Sequence, residues 1–370
     1  MKILIATDSF KGTFSSAAAG AIMKRAFAER GLYDCAVVPV SDGGDGFGSV
    51  ASHAEGAQSV KATVKDAFFG TTEAEYHIIN GDAYIESARA CGMRFGKDVM
   101  NATTYGVGQL IASAVSHGAK RIFLGLGGSG TNDGGCGMAC ALGGVFSDGH
   151  SFIPVGRTLE NVKSFDVSRI SARLKGAEVV GCVDVDNVFF GEDGAARCFA
   201  KQKGASYEEI LRLDAGMKHL ASLLPFDINS LQGSGAAGGL GGGIVAFLGG
   251  RLERGFDVVA KMTCLEEKIA RADAAITGEG RTDEQTLHGK LPYGVATLCA
   301  KHHKPCYIVS GSVRGDLTKL AEAGVSGVFA AYAEPPREID KTEAEGRLFE
   351  ASSQAAEHIK GSIYVSSGDI

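Results

Sequence analysis

Acidic side chains lie within several glycine-rich segments of this chain. They are Asp42 and Asp45 in segment 41–46, Asp133 in segment 125–135, Asp184 and Asp186 after an apolar run, and Glu279 and Asp283 in segment 277–283. Mg²⁺ that binds together with phosphate groups uses one or two carboxylates, whereas acids at contact distance would repel the pyrophosphate of a dinucleotide. The pattern therefore favours phosphoryl transfer over hydride transfer, with Asp42, Asp45 and Asp133 as candidate metal ligands.

Three basic residues stand beside these acids. Lys11 follows the first apolar segment, Arg281 lies in segment 277–283, and Lys290 lies shortly beyond it. Such cations can neutralise a phosphoryl group during transfer or hold the carboxylate of a substrate. Taken singly, each is better explained as a surface charge, because Lys and Arg are mostly exposed. Their position next to the acids favours a role in binding and catalysis.

Asp184 is the first candidate for a general base. It lies in segment 181–187, which begins as an apolar strand and ends with two acids and an amide. A carboxylate there can accept the proton of a substrate hydroxyl, and Asp283 is the second candidate. The alternative is that the acids and the amide only shape a turn. Among the histidines we single out only His288, which lies in the run that ends at Lys290.

Glycine accounts for 53 of the 370 residues, about twice its usual share, and it clusters after predicted strands. Open α/β sheets bind ligands at the carboxyl ends of strands, and backbone N–H groups there can cradle phosphate oxygens. The predicted nucleotide contacts are Ser9, Gly43, Gly44, Gly128, Ser129, Gly130, Thr131, Asn132 and Lys290. For any single cluster, tight turns and close strand–helix packing explain the glycines equally well.

Two segments match G-x-G-x-x-G, at positions 125, 127 and 130 and at positions 233, 235 and 238, and Asp148 lies downstream of the first. At this glycine content roughly one such match is expected by chance. A nicotinamide-dependent hydroxy-acid dehydrogenase therefore stays an alternative, and so does a non-enzymatic sensor of a sugar acid or nucleotide, since fold does not settle function. A Walker-type P-loop is disfavoured because Leu291 follows Lys290.

Short apolar segments alternate with helical patterns, which predicts an α/β fold with mainly parallel sheets. Strands are predicted at 3–6, 37–40, 122–126, 274–277, 306–309 and 328–331, and helices at 15–30, 47–54, 136–142, 293–301, 317–322 and 342–360. Residues 57–86 predict a β meander with a turn at Asn80-Gly81. At this length two domains are expected: one from residues 1–80 with 260–370, and an inserted one from residues 81–259.

The composition narrows the class of protein. Hydrophobic residues make up 45% and charged residues 22%, with a net charge of −6 and no long basic run, which argues against disorder, nucleic acid or an anionic membrane as a partner. The uncharged stretch 228–250 is rich in glycine, which argues against a membrane span. The nine cysteines form no Cys-x-x-Cys pair, so we expect reduced thiols in a cytoplasmic protein, with a zinc site at Cys136 and Cys140 disfavoured.

Six segments in order resemble the type I glycerate kinase family, which includes bacterial enzymes of glucarate and glyoxylate metabolism. They are 8–11, 41–46, 127–135, 182–187, 235–241 and 277–290. The resemblance covers nearly the whole chain. It implies two different α/β domains with the active site in the cleft between them, ATP and Mg²⁺ as cosubstrate and cofactor, D-glycerate as acceptor and 2-phosphoglycerate as product. The alternative product is 3-phosphoglycerate.

For such an enzyme we expect segments 42–46 and 127–135 to help hold nucleotide phosphates and Mg²⁺, and Lys11, Arg281 and Lys290 to bind phosphate and the glycerate carboxylate. The sequence departs from the family pattern at two places. Asp45 stands where the family more often has Glu, which shortens a candidate metal ligand by one methylene. Val188-Phe189 stands where Pro-Leu is usual, next to the segment that carries Asp184.

Overall fold

The computed structural model describes residues 1–284, 286, 290–315, 317–336 and 339–366, with side chains as far as residue 361, so His288 lies outside the described residues. The strands β1 to β14 are Ile3–Ile5, Cys35–Val37, Gln58–Lys65, Thr71–Ile79, Asp82–Glu86, Arg121–Gly125, Val145–Ser147, Ser151–Phe152, Ser164–Asp166, Glu178–Val183, Arg251–Arg254, Ala274–Thr282, Cys306–Val313 and Val325–Tyr332. The helices α1 to α14 are Ser16–Glu29, Phe47–Ser52, Ala88–Cys91, Tyr105–Ser116, Cys136–Ala141, Ile170–Leu174, Ala195–Phe199, Tyr207–Ser222, Ala236–Leu248, Gly255–Met262, Leu265–Ala270, Leu291–Lys301, Thr318–Glu322 and Lys341–Ser366. Further 3₁₀ turns are Met93–Phe95, Gly156–Asn161, Lys201–Lys203 and Ile228–Ser230.

The chain folds into two compact units. The first unit comprises Met1–Asp42 together with the chain from Phe256 onward, and the second unit comprises Gly43–Gly255. The division expected from the sequence, between residues 80 and 81, would fall in the turn between β4 and β5. Because these two strands pair antiparallel with each other, residues 43–80 belong with the second unit.

The first unit is built on a five-stranded sheet with the order β14-β13-β12-β1-β2, in which all the pairs are parallel. β1 is buried throughout, as expected of a strand in a parallel sheet covered on both faces. Ile3, Ile5 and Ile276 form one core with apolar side chains of α1 and α14. α12 packs against β12 and β13.

The second unit has a six-stranded sheet with the order β11-β10-β6-β5-β4-β3. The strands from β11 to β5 pair in parallel, and β4 and β3 form an antiparallel edge. A separate three-stranded antiparallel sheet has the order β8-β7-β9. The main core of this unit gathers apolar side chains of α4, α5 and α9 beneath β5 and β6. Because β6 and β10 are neighbouring parallel strands, the segments that follow them begin at the same edge of the sheet.

Among the described residues, no helix is both long enough and apolar enough to span a bilayer. Stretch 228–250, the longest without a charge, forms a 3₁₀ turn and α9.

Candidate functional site

The strand order of the first unit reverses between β1 and β12. β1 leads through α1 to β2 on one side, and β12 leads through α12 to β13 on the other. Ligands of open α/β sheets bind at the carboxyl ends of the strands at such a switch point. Asp8 follows β1 directly, and Glu279 lies near the end of β12. Both acids are buried, so the switch point carries two buried carboxyl groups.

Asp8 is held at the carboxyl end of β1 by its own backbone and by its neighbour. Its N–H donates to the Gly278 carbonyl oxygen at 2.8 Å, and its Oδ1 accepts the Ser9 N–H at 2.7 Å. Burial raises the pKa of Asp8 well above its usual value, and the negative charge of Asp42 adds to this; the Ser9 N–H and the charge of Lys11 oppose the shift. A bound cation would relieve this repulsion.

Glu279 is oriented by two hydroxyl groups. Its Oε1 accepts the Thr286 hydroxyl at 2.6 Å and the Thr282 hydroxyl at 3.3 Å. Burial raises the pKa of Glu279, while the Thr286 hydrogen bond and the charge of Lys290 oppose the shift. The carboxyl group is thus fixed beside the segment that carries the predicted cations.

Asp283 holds two of the three basic residues singled out from the sequence. Its Oδ2 lies 3.1 Å from Arg281 Nε, and its Oδ1 lies 3.7 Å from Lys290 Nζ. The side chains of Arg281 and Lys290 are 52% and 38% exposed, so both cations remain accessible to an anionic ligand. Lys11 is exposed as well. Asp283 therefore serves as an anchor that gathers positive charge at this edge of the sheet.

In the second unit, two of the glycine-rich segments lie against each other. A Cβ on Gly127 would overlap with Gly44 Cα, and a Cβ on Gly128 would lie 2.5 Å from Asp45 Oδ1. Gly128 also has a φ of +72°, which side chains rarely adopt. Glycine is required at both positions, because a side chain at either one would keep segment 43–46 from packing so closely against the segment after β6. Asp45 is exposed at this contact.

The hydroxyl groups of Ser129 and Thr131 face the interior rather than solvent. They lie 2.8 Å apart, and each donates weakly to the Ala237 carbonyl oxygen, at 3.5 and 3.4 Å. Ala237, Gly238 and Gly239 form a left-handed turn with φ values of 55°, 69° and 86°. Ser129, Gly130, Thr131 and Asn132 are all buried. The hydroxyl groups of Ser129 and Thr131 shape the loop from within, whereas the Asn132 side chain has no hydrogen-bond partner among the described residues.

Asp133 anchors the same loop. Its Oδ2 accepts hydrogen bonds from the Thr104 N–H at 2.7 Å, the Thr104 hydroxyl at 2.9 Å and the Gly137 N–H at 3.2 Å, and its Oδ1 accepts from the Gly135 N–H at 3.1 Å. Burial raises the pKa of Asp133, and these hydrogen bonds oppose the shift. Because both oxygens are already engaged, this geometry fits a structural carboxylate better than a metal ligand.

Asp184 directly follows β10, the strand next to β6, and it is exposed, as is Asp186. Asn187 instead donates through Nδ2 to the Asp193 carbonyl oxygen at 2.9 Å. The amide of this segment therefore shapes the turn, while the two acids project from it.

A ready-made metal cage is absent: within the part of the chain that the structure describes, no three His, Cys, Asp or Glu side chains are arranged to hold an ion. Mg²⁺ in phosphoryl-transfer sites needs only one or two carboxylates, since phosphates and water supply the other ligands. Asp42 and Asp45 therefore stay predicted ligands, and the negative charge of Asp42 acts on the buried carboxyl group of Asp8, whose pKa it helps to raise.

Neither G-x-G-x-x-G match forms a dinucleotide fingerprint. The first begins at the end of β6, but α5 does not start until Cys136, well past Gly130, and the second follows the 3₁₀ turn Ile228–Ser230 instead of a strand. The fingerprint requires a strand, a tight turn and a helix in immediate succession.

Comparison with known proteins decides to which protein family the chain belongs. The sequence profile of the glycerate kinase family matches residues 3–360. The chain belongs to the glycerate kinase family. It is 37% identical over 346 residues to glycerate 2-kinase of Escherichia coli (strain K12), which covers 89% of this chain and 90% of that protein. It is 36% identical over 348 residues to glycerate kinase of Bacillus cereus (strain ATCC 10987 / NRS 248), which covers 90% of this chain and 91% of that protein.

A solved structure agrees with these relatives. The crystal structure assigned to glycerate kinase 2 of Salmonella typhimurium LT2 matches this glycerate kinase family member with a TM-score of 0.82 and 33% identity, over 98% of this chain and 99% of that one. The α/β fold with mainly parallel sheets, expected from the alternating strand and helix patterns, and the kinase class, expected from the six segments, are confirmed.

Asp8 is a further candidate site residue, which the sequence shows only as part of segment 8–11. Its signal in the sequence is that of an acid that follows the first apolar strand directly and precedes Lys11 by three residues. The burial of Asp8 and the effect of the Asp42 and Glu279 charges on its pKa depend on the packing of β1 against β12, which one sequence does not show.

Proposed function

We propose that this family member transfers the γ-phosphoryl group of ATP to the 2-hydroxyl of D-glycerate and releases 2-phosphoglycerate. The observation that carries the proposal is the cluster of acids and cations at the switch point of the first unit's sheet, in a chain similar to a protein named glycerate 2-kinase. The 2-position follows that relative's name, and the 3-hydroxyl is the competing acceptor.

The anionic groups of the substrates are assigned to the cations that surround Asp283. Arg281 offers a planar guanidinium that binds a carboxylate or phosphate through two parallel hydrogen bonds, and Lys290 and Lys11 act as point charges. Neutralising and positioning charged groups supplies most of the catalysis in phosphoryl transfer. We therefore place Arg281 on the glycerate carboxylate and the two lysines on phosphate oxygens.

The nucleotide phosphates are assigned to the backbone of Gly43, Gly44 and Gly128, where the lack of a side chain allows close approach. Ser129, Gly130 and Thr131 give that loop its shape, and Asn132 is retained as a proposed nucleotide contact. Ser9 is half-buried beside Asp8, and we retain it as a phosphate contact of the first unit.

Mg²⁺, when bound, neutralises charge on the phosphate oxygens. The oxygen ligands around Asp42 suit this hard cation, and the mutual repulsion of Asp8 and Asp42 is the kind that a cation relieves. We therefore keep Asp42 and Asp45 as proposed metal ligands and add Asp8, while Asp133 is left out because its oxygens are engaged.

The proton of the acceptor hydroxyl is assigned to Asp184, an exposed carboxylate at the carboxyl end of a parallel strand. Asp283 is the second candidate, but its pairing with Arg281 and Lys290 suits an anchoring role better. Near-normal turnover of Asp184→Asn with an unchanged pH profile would show that Asp184 is not the base. We also propose a cytoplasmic location, where the cysteines, all free, stay reduced.

The test is an incubation of the purified protein with Mg·ATP and D-glycerate, with ADP release followed and the product identified by ³¹P NMR. L-glycerate and a reaction without acceptor serve as controls. Formation of 2-phosphoglycerate supports the proposal. Formation of 3-phosphoglycerate supports glycerate as the substrate but overturns the 2-hydroxyl as the acceptor. If folded protein releases no more ADP than the controls do, glycerate is not the substrate.

A further inference from the structure

Lys203 is the one lysine or arginine that is buried among the described residues, at 3% exposure. It ends the 3₁₀ turn Lys201–Lys203, and its Nζ donates to the Thr131 carbonyl oxygen at 2.8 Å. Burial lowers the pKa of Lys203 to about 8, while the charges of Cys91 and Asp133 oppose the shift. Burying an ammonium group is expensive unless its contacts compensate, so a lysine here calls for an explanation beyond filling space.

The contact with Lys203 fixes the direction of the peptide group between Thr131 and Asn132. Because a peptide is planar and trans, its carbonyl and its N–H point in opposite directions. With the carbonyl drawn to Lys203, the Asn132 N–H points the other way, and within the described chain it forms no hydrogen bond. Nδ2 and Oδ1 of the buried Asn132 side chain also have no partner among the described residues.

Unpaired buried groups of this kind are costly, at roughly 1–3 kcal/mol each. A site that awaits a ligand is one accepted reason for them. The residues on either side of Asn132 are firmly held: Thr131 by Lys203 and by its hydroxyl contact with Ala237, and Asp133 by Thr104, Gly135 and Gly137. The hydrogen bonds of the loop therefore hold the two neighbours of Asn132 in place, while Asn132 itself has no partner among the described residues.

We propose that Lys203 is a positioning residue that aims the Asn132 N–H and side-chain amide at anionic oxygens of the ATP phosphates. This inference rests on the proposed function, since it takes segment 127–133 as part of the nucleotide site. Lys203 acts through the 131–132 peptide and does not itself touch the nucleotide.

The test compares Lys203→Met, which keeps the length of the side chain but removes the donor, with Lys203→Gln, which keeps a neutral donor on a shorter chain. Lys201→Met, in the same 3₁₀ turn and exposed, is the matched control. For each protein, the Kd of ATP is measured by calorimetry without glycerate, KM is measured for both substrates, and folding is checked by circular dichroism. Wild-type binding and turnover are measured first, because a wild type that neither binds ATP nor turns over would overturn the proposed function and this inference with it.

With wild type active, Lys203→Met should raise the Kd and KM of ATP at least about tenfold, because a misdirected Asn132 N–H would lose its hydrogen bond to a charged phosphate, and leave the KM of glycerate within about twofold. Lys203→Gln should fall between it and wild type, and Lys201→Met should match wild type. A folded Lys203→Met with an unchanged Kd of ATP, or with both KM values raised equally, overturns the inference. If Lys203→Met does not fold, Lys203→Gln decides: a raised Kd of ATP supports the inference, and a wild-type Kd overturns it.

Discussion

Asp8 is a buried carboxyl group whose negative charge lowers the stability of the folded protein near neutral pH. Its pKa is raised in the folded protein, so the stability it contributes is present below the unfolded pKa, about 3.9, and is lost as the pH rises through the folded value. Asp8→Asn should therefore melt at a higher temperature than wild type near neutral pH without Mg²⁺. The difference should shrink as the pH falls toward about 4, and thermal unfolding followed by circular dichroism across this range measures it.

The same variant should lose activity, because Asn cannot supply the negative charge that we assign to the metal. We expect kcat to fall at least about tenfold, the scale of a lost charge-assisted contact, in a standard ADP-release assay. Asp186→Asn, an exposed acid outside the proposed machinery, is the control and should change neither quantity. An Asp8→Asn protein that melts below wild type by a margin independent of pH would contradict this account.

Arg281 tests the proposed carboxylate contact. A charge-assisted hydrogen bond is worth roughly 1.5–3 kcal/mol, so Arg281→Ala should lower kcat/KM for glycerate at least about tenfold. Its own pair with Asp283 is half exposed, and such pairs add little to stability, so the melting temperature should hardly move.

Arg25→Ala is the matched control for Arg281→Ala. Arg25 has a similar exposure of 54% and one carboxylate partner, Glu345 at 2.7 Å, but it lies on α1 away from the proposed site. It should leave kcat/KM within about twofold of wild type, as surface substitutions usually do. Equal losses in the two variants would mean that Arg281 contributes only general surface charge.

At the scale of elements, the sequence predicts strands and helices well where the signal is local. The predicted turn at Asn80-Gly81 is confirmed: β4 ends at Ile79, β5 begins at Asp82, and both turn residues have positive φ, as a two-residue hairpin requires. β12 and β13 run several residues beyond their predicted ends, because their continuation pairs in register although its sequence is polar and glycine-rich. Pairing across the sheet, invisible in one sequence, overrides local propensity there.

The left-handed turn of α9 was also beyond prediction, because its conformation is set by the loop it meets. A Cβ on Gly238 would overlap with the Thr131 carbonyl oxygen, and φ there is +69°. Gly238→Ala should therefore destabilise the protein by more than about 3 kcal/mol, since the strain of a left-handed residue adds to a backbone clash. Urea unfolding measures the loss.

Ala237 is the control within the same turn. It already adopts a φ of 55°, so Ala237→Gly relieves strain of about 1–2 kcal/mol but adds unfolded-state entropy of about 0.5–1 kcal/mol. We expect the unfolding free energy to stay within about 1 kcal/mol of wild type. A Gly238→Ala protein as stable as Ala237→Gly would show that the turn relaxes freely.

At the scale of the molecule, the sequence indicates two α/β domains. The expected limit at 259/260 lies close to the division at 255/256, whereas the expected limit at 80/81 lies far from the division at 42/43. The sequence of strands β3 and β4 does not show to which domain they belong. They are assigned to the second unit because β3 pairs with β4 and β4 pairs with β5. The candidate site is likewise predictable only in part. The residue types of segment 277–283 single out Arg281 and Asp283, whereas the burial of Asp8 and the hydrogen bonds of Asp133 depend on contacts between distant segments.

The second unit should fold on its own. It is one continuous segment, Gly43–Gly255, and its main core, both its sheets and the anchoring of Asp133 are formed by its own residues. A domain with its own core can in principle fold alone, so the fragment 43–255 should give a circular dichroism spectrum of mixed α/β type and a cooperative thermal transition. The complementary chain, residues 1–42 joined by a short Gly-Ser linker to residues 256–370, retains the parallel sheet that carries Asp8 and Glu279 and should do the same. A fragment 43–255 that binds a hydrophobic dye and melts without a transition would mean that its core is completed only in the full chain.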